Sequence, residues 1–111
     1  MMHSLSLKIQ LGLALCLASV GSAATAQAAS DLNARSLAAT CANCHGTDGR
    51  SVEGAAVPSL AGMPKAYMLA QMKAFKDGTR PATIMHQLSK GFNDQQVETI
   101  ATYFSALKPQ K

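Results

Sequence analysis

One short motif constrains this chain more than any other feature. It is Cys-Ala-Asn-Cys-His, which runs from Cys41 to His45. The two thiols stand three positions apart, so on a helix both face the same side, and an imidazole follows the second thiol directly. Covalent haem attachment uses this combination, because the cysteines bond to the two vinyl groups and the histidine binds iron. We therefore predict one covalently bound haem c per chain, held by Cys41, Cys44 and His45.

Two other kinds of site use the same residue types. A thiol-disulfide oxidoreductase places its cysteine pair at the start of a helix, whose N-terminus lowers the pKa of the first thiol. Here a helical pattern precedes the pair instead. A zinc site needs a fourth ligand, and beyond the N-terminal leader the chain offers only His86 as a further imidazole and no second cysteine pair. Both alternatives stay open, but the complete motif in an exported chain favours haem.

The first 28 residues have the pattern of a secretory signal peptide. A short polar region with Lys8 precedes an apolar run over residues 9–20, and small residues follow up to Ala26-Gln27-Ala28. We expect cleavage after Ala28, which leaves a domain over residues 29–111. The leader has no twin-arginine pair, which indicates Sec-type export to the periplasm.

Two features of the leader bear on membrane attachment. Its apolar run is shorter than the roughly 18 to 20 residues of a membrane-spanning helix, so we expect no stable membrane insertion after cleavage. Cys16 follows Leu15, whereas lipid attachment at a cysteine favours a small preceding residue. We interpret Cys16 as an apolar residue of the leader.

Size and charge limit what the domain could be. The 83 residues left by cleavage bury little apolar surface on their own, and an apolar cofactor would supply the missing core. The net charge of this part is +3, since Lys8 leaves with the leader. Its basic side chains are scattered along the sequence, which argues against a nucleic-acid partner.

The periodicity of the mature part predicts an all-α fold of three main helices plus a short one. The first begins with Ser30 as its N-cap and leads into the motif. The second starts at Pro64 and ends before Gly78. A short helix covers residues 85–90 and stops at Gly91, and the last begins at an Asn93 cap with Gln96 three positions later. An irregular, glycine-rich loop over residues 46–63 follows the motif.

The positions of histidines and methionines in the sequence indicate which residues could be the axial ligands of the iron. His45 is the proximal ligand, and we expect its other ring nitrogen to donate to a carbonyl in the loop over residues 54–60, which contains Pro58. The candidates for the sixth ligand are Met63, Met68, Met72, Met85 and His86. Met68 and Met72 lie one turn apart on an apolar helix face, where methionine usually fills a core. Met85 stands forty residues after His45, beyond an irregular stretch that can bend over the distal face of the haem.

Several motifs resemble those of the class I cytochromes c, in particular the small bacterial members with one haem. They are Cys-Ala-Asn-Cys-His at 41–45, Pro-Ser-Leu-Ala-Gly at 58–62, Gln-Met-Lys-Ala-Phe at 71–75, Ala-Thr-Ile-Met at 82–85 and Asn-Asp at 93–94. The resemblance implies a cytochrome c-like fold wrapped around haem c, with Met85 as the second axial ligand. Residues 61–107 are also similar to the cytochrome subunit of flavocytochrome c sulfide dehydrogenases, whose partner subunit carries FAD. Such subunits can have two haem domains, whereas this chain has one CxxCH motif.

These observations predict a periplasmic electron carrier that passes single electrons between redox partner proteins and catalyses nothing alone. With iron bound by both His45 and Met85, no position is left for a substrate. If Met85 did not bind, the open haem could act as a peroxidase or bind a gas. A third hypothesis is a permanent subunit of an FAD-containing sulfide dehydrogenase.

Overall fold

The computed structural model describes residues 26–109, in which helices are joined by loops and no strand occurs. The chain divides between Asn33 and Ala34 into two units, and the second holds the motif. Helix α1 covers residues 26–45. It is followed by α2 (Lys65–Asp77), α3 (Met85–Leu88) and α4 (Asp94–Ala106), with short 3-10 turns at Thr47–Gly49 and Ser89–Gly91. The predicted all-α fold of three main helices and a short one is confirmed.

Helix α1 ends at the motif, as the sequence predicts. Gly46 follows with φ of 81° and ψ of 163°, which no helix can continue. The predicted start at Ser30 is wrong, because this residue lies inside the helix. Its hydroxyl donates to the carbonyl of Gln27 at 2.8 Å, a bond to the preceding turn that serine makes within helices. Within the described residues the leader is represented only by 26–28, so its cleavage stays a prediction.

The ends of α2 and α3 follow from their flanking residues. Pro64 occupies the cap position of α2 rather than its first turn, one residue from the prediction. Gly78 ends α2 in the left-handed region with φ of 75°, and its N–H donates back to the carbonyls of Ala74 and Phe75. The predicted short helix is α-helical only to Leu88 and continues as a 3-10 turn to Gly91.

Helix α4 begins with the predicted capping box. The Asn93 side chain accepts from the Gln96 N–H at 2.9 Å, and the Gln96 side chain accepts from the Asn93 N–H at 2.9 Å. These two bonds satisfy N–H groups that the first helical turn cannot pair by itself. The buried face of α4 contains Val97, Ile100, Ala101 and Phe104.

The core lies where α1, α2 and α4 meet. Its buried cluster comprises Ala38, Met68, Ile100, Ala101 and Phe104. Cys41 packs against this cluster, so the motif is attached to the core directly. Helix α2 packs against both α4 and α3, which joins the segment around Met85 to the same framework. Across residues 26–109, no helix combines the length and apolarity that crossing a membrane requires.

Candidate haem site

His45 is the most firmly held residue of the motif. Its side chain lies at the end of α1 and is only 8% exposed. Nδ1 lies 2.7 Å from the carbonyl oxygen of Pro58, so this nitrogen carries the proton and donates. The predicted contact with the loop over residues 54–60 is confirmed. Because Nδ1 is engaged, Nε2 is the nitrogen left for a metal, and a hydrogen bond at Nδ1 increases the basicity of such a ligand.

The two thiols are unpaired and differ in their surroundings. Cys41 is half-buried against the core, while Cys44 is exposed, and no disulfide joins them. Burial raises the pKa of the Cys41 thiol above its ordinary value, and a weak hydrogen bond with Thr40 offsets this only in part. A reactive cysteine needs a lowered pKa, which a helix N-terminus can supply, whereas both thiols here lie in the last turn of α1. The environment of Cys41 argues against thiol redox chemistry.

The zinc interpretation also lacks support. Within residues 26–109, no group of three or more His, Cys, Asp and Glu side chains is arranged to hold a metal ion. Cys41, Cys44 and His45 are therefore not gathered around one point, as a tetrahedral zinc site requires. A haem suits them better, because each thiol and the imidazole bind different atoms of an extended ring system.

Three of the five candidate sixth ligands lie next to other apolar side chains of the protein. Met68 is 4% exposed inside the core cluster, and Met63 packs against the same cluster. Met72 lines a groove between α2 and α4 together with Leu69 and Val97. The interpretation of Met68 as a core residue is confirmed.

The other two candidates are neighbours on α3. Met85 is the first residue of this helix and is half-buried. Next to it, Ile84 is 53% and Leu88 45% exposed, so α3 carries apolar side chains that the described residues do not cover. His86 is half-buried, and its Nδ1 is buried without a hydrogen-bond partner in the part of the chain that the structure describes. The ring of His86 is thus partly enclosed by the described residues.

The structure contains a polar cluster beside the motif that the sequence does not predict. The Tyr103 hydroxyl donates to Asp48 Oδ1 at 3.3 Å, and Arg50 Nη1 lies 3.6 Å from the other carboxylate oxygen. Arg50 also donates to the carbonyl of Lys108 at 3.2 Å. These bonds tie the loop after His45 to the end of α4. Asp48 and Tyr103 are 55 positions apart, and no local pattern marks such a pair.

Comparison with known proteins supports haem over the thiol-redox and zinc interpretations, since the Cytochrome c family matches residues 33–108. The chain belongs to the cytochrome c family. It is 39% identical over 95 residues to the thiosulfate dehydrogenase electron acceptor of Thiomonas intermedia, covering 86% of this chain and 44% of that protein. It is 38% identical over 71 residues to the cytochrome subunit of sulfide dehydrogenase of Chlorobaculum tepidum, covering 64% and 63%.

A third relative is cytochrome c4 of Pseudomonas aeruginosa, with 39% identity over 103 residues that cover 93% of this chain and 47% of the relative. The chain thus spans about half the length of two of these three relatives and 63% of the other. Members of the cytochrome c family carry covalent haem c and act as electron carriers. The unpaired thiols and the imidazole with its free Nε2 fit that cofactor.

Proposed function

We propose that this protein is a periplasmic cytochrome c that carries one haem and exchanges single electrons with partner proteins. Cys41 and Cys44 would hold the haem through thioether bonds, and His45 and Met85 would bind its iron. Haem c, when bound, supplies an iron that alternates between the ferric and ferrous states. The leader over residues 1–28 directs export, and residues 29–111 form the cytochrome domain.

The observation that carries the proposal is the state of His45. Its ring is buried, fixed by the Pro58 carbonyl at 2.7 Å, and keeps Nε2 available. A buried imidazole held by a backbone carbonyl is the usual arrangement of a permanent metal ligand. A ligand fixed in advance would let a bound haem accept or release an electron with little rearrangement of the protein.

Met85 is proposed as the sixth ligand because, among the four candidate methionines, it alone neither contacts the core cluster nor lines the groove between α2 and α4. Met63 and Met68 serve that core, and Met72 faces the groove between α2 and α4. A neutral thioether opposite an imidazole favours the ferrous state and gives a high reduction potential. With both axial positions taken, the protein has no place for a peroxide or a gas.

For the partner, we propose a dehydrogenase that oxidises inorganic sulfur compounds. Two relatives are named as an electron acceptor of thiosulfate dehydrogenase and as the cytochrome subunit of sulfide dehydrogenase. In this proposal the sulfide dehydrogenase carries FAD. The cytochrome accepts electrons from that FAD one at a time. Transient docking of this kind is expected to weaken as the salt concentration rises.

The test is to express the full chain in a bacterial host that attaches haem in its periplasm. We expect a protein shortened by 28 residues, carrying one haem that stays bound after acid-acetone extraction. Its ferric form should be low-spin. A high-spin ferric spectrum would contradict the closed electron carrier and support the open-haem alternative.

The partner proposal has its own test. A purified flavin-containing sulfide dehydrogenase, given sulfide, should reduce the ferric protein faster than sulfide alone does. A purified thiosulfate dehydrogenase with thiosulfate is the parallel experiment. If neither enzyme accelerates reduction, the sulfur-oxidising partner is wrong while the electron carrier itself still stands.

A further inference from the structure

One carbonyl group organises the loop that holds His45. The carbonyl oxygen of Gly49 accepts hydrogen bonds from the Leu60 N–H at 2.7 Å, the Ala61 N–H at 3.2 Å and the Ser59 hydroxyl at 2.8 Å. These donors are the three residues that directly follow Pro58, whose own carbonyl accepts from His45. The Pro58 carbonyl is therefore next to a segment whose three donors converge on one acceptor.

Gly49 is itself held by the core. It is buried with φ of 70°, and a Cβ atom there would lie 2.6 Å from Cε1 of Phe104. Phe104 is fully buried on α4, and its carbonyl accepts from the Gly62 N–H at 2.8 Å. An unbroken series of contacts thus leads from α4 through Gly49 and residues 59–61 to Pro58 and the ring of His45.

Ser59 is the member of this series that can be changed without altering the backbone, because the other two donors to Gly49 are peptide N–H groups. Its hydroxyl has only one acceptor among the described residues, the Gly49 carbonyl. Without this hydroxyl, residues 59–61 are bound to Gly49 only by backbone hydrogen bonds. These residues directly follow Pro58, whose carbonyl fixes His45.

We propose that Ser59 is a positioning residue for His45 and acts through Gly49 and Pro58 on the electron density of the axial ligand. This inference rests on the proposed function, since it requires His45 to bind iron. A well-oriented Pro58 carbonyl makes the imidazole a stronger donor to the metal, which stabilises the ferric state. A loosened carbonyl weakens that donation, so the reduction potential rises.

The test compares Ser59→Ala with two controls in the haem-loaded protein. Ser105→Ala is the matched control, because Ser105 is also half-buried and its hydroxyl also donates to one backbone carbonyl, that of Thr102 at 3.0 Å. Ser59→Thr keeps the hydroxyl and should restore the wild-type values. The measurements are the reduction potential and the solvent exchange rate of the His45 Nδ1 proton, followed by NMR in the ferrous state.

We expect Ser59→Ala to raise the potential and to speed exchange of the Nδ1 proton several-fold, while Ser105→Ala and Ser59→Thr leave both unchanged. If Ser59→Ala lowers only the stability and matches Ser105→Ala in potential and exchange, Ser59 is merely structural and the inference is overturned. A wild-type protein without haem would instead refute the proposed function, so the two failures can be told apart.

Discussion

The two sides of the proposed haem site are built differently. On the proximal side, the loop over residues 46–63 is held by a network of hydrogen bonds and by the buried ring of Phe104, and His45 is 8% exposed. On the distal side, the segment over residues 79–91 presents Met85 from a helix of four residues, with Ile84 and Leu88 half-exposed. His45 is thus held by the protein alone, whereas Met85, the proposed distal ligand, lies on a helix without a fully buried residue.

This contrast has a physical basis in where the buried contacts are. The proximal loop is connected to α4 at Gly49, Gly62 and Asp48, and Arg50 connects it to Lys108 just beyond that helix. Helix α3 packs against α2 and the adjoining 3-10 turn, and none of its residues is fully buried. Substitutions on the proximal side should therefore change the stability of the fold, and those on the distal side should change the iron ligation.

The largest stability effect is expected at Gly49. Gly49→Ala places a Cβ 2.6 Å from Phe104 Cε1 and 2.9 Å from Leu60 Cβ, at a φ that disfavours alanine. We expect a loss of about 2–5 kcal/mol in the free energy of unfolding, from backbone strain and overpacking together. Gly54 is the matched control, because its φ is 79° but a Cβ there meets nothing within 4 Å.

Gly54→Ala should cost only the backbone strain, about 1–2 kcal/mol. Denaturant unfolding of both haem-loaded variants measures the difference. Equal losses at the two positions would show that the contact with Phe104 does not hold the proximal loop.

Substitutions of Met68 and Met72 provide the second test, because they distinguish methionines that pack in the protein from one that binds iron. Met68→Ala removes a core side chain and should lower the free energy of unfolding by about 2–3 kcal/mol. Met72→Ala, in the half-buried groove, should cost less, about 1 kcal/mol. Both should leave the visible spectrum of the ferric protein unchanged. A change of spin state in Met68→Ala would mean that the core methionine, and not α3, supplies the ligand.

The smallest effect is expected at Tyr103 and depends on pH. Desolvation, and then the charge of Asp48 and the hydrogen bond to it, raise the pKa of the Tyr103 hydroxyl above its ordinary value of 10.0. In this pH range the unfolded chain releases the proton before the folded one does, so the contribution to stability is complete below pH 10.0 and is lost as the pH rises through the folded-state pKa.

The comparison of wild type with Tyr103→Phe isolates this contribution. The wild type should lose stability faster between neutral pH and pH 11, about one unit above the ordinary tyrosine pKa, and the variant should not show that extra slope. Thermal unfolding at a series of pH values measures it. Parallel curves would indicate that the Tyr103 contact with Asp48 is not maintained in solution.

Local signals in the sequence predicted much of this structure. The capping box of Asn93 and Gln96 and the helix end at Gly78 were predictable because their partners lie within four residues. The bond from His45 to the Pro58 loop was predictable from the needs of a metal-bound imidazole. The start of α1 was not, because Ser30 can pair with the preceding turn as well as cap a helix.

Several contacts between residues far apart in the chain could not be predicted from the sequence. The Gly49 carbonyl gathers donors ten and more positions away, and the Tyr103 bond to Asp48 spans 55 positions. Asp48 also adopts a φ of 53°, which its residue type permits but does not demand. Such features arise only when α4 packs against the loop. For the distal ligand, the sequence offered five candidates, and position together with the family resemblance favoured Met85 over His86.

The most direct test of the account is the absorption spectrum of the ferric protein in Met85→Ala and His86→Ala. A methionine sulfur on ferric haem gives a weak charge-transfer band at the red end of the visible range, which other axial ligands do not give. We predict this band in the wild type and in His86→Ala, and its loss in Met85→Ala with the fold retained. Its persistence in Met85→Ala, or its loss in His86→Ala alone, would contradict ligation by His45 and Met85.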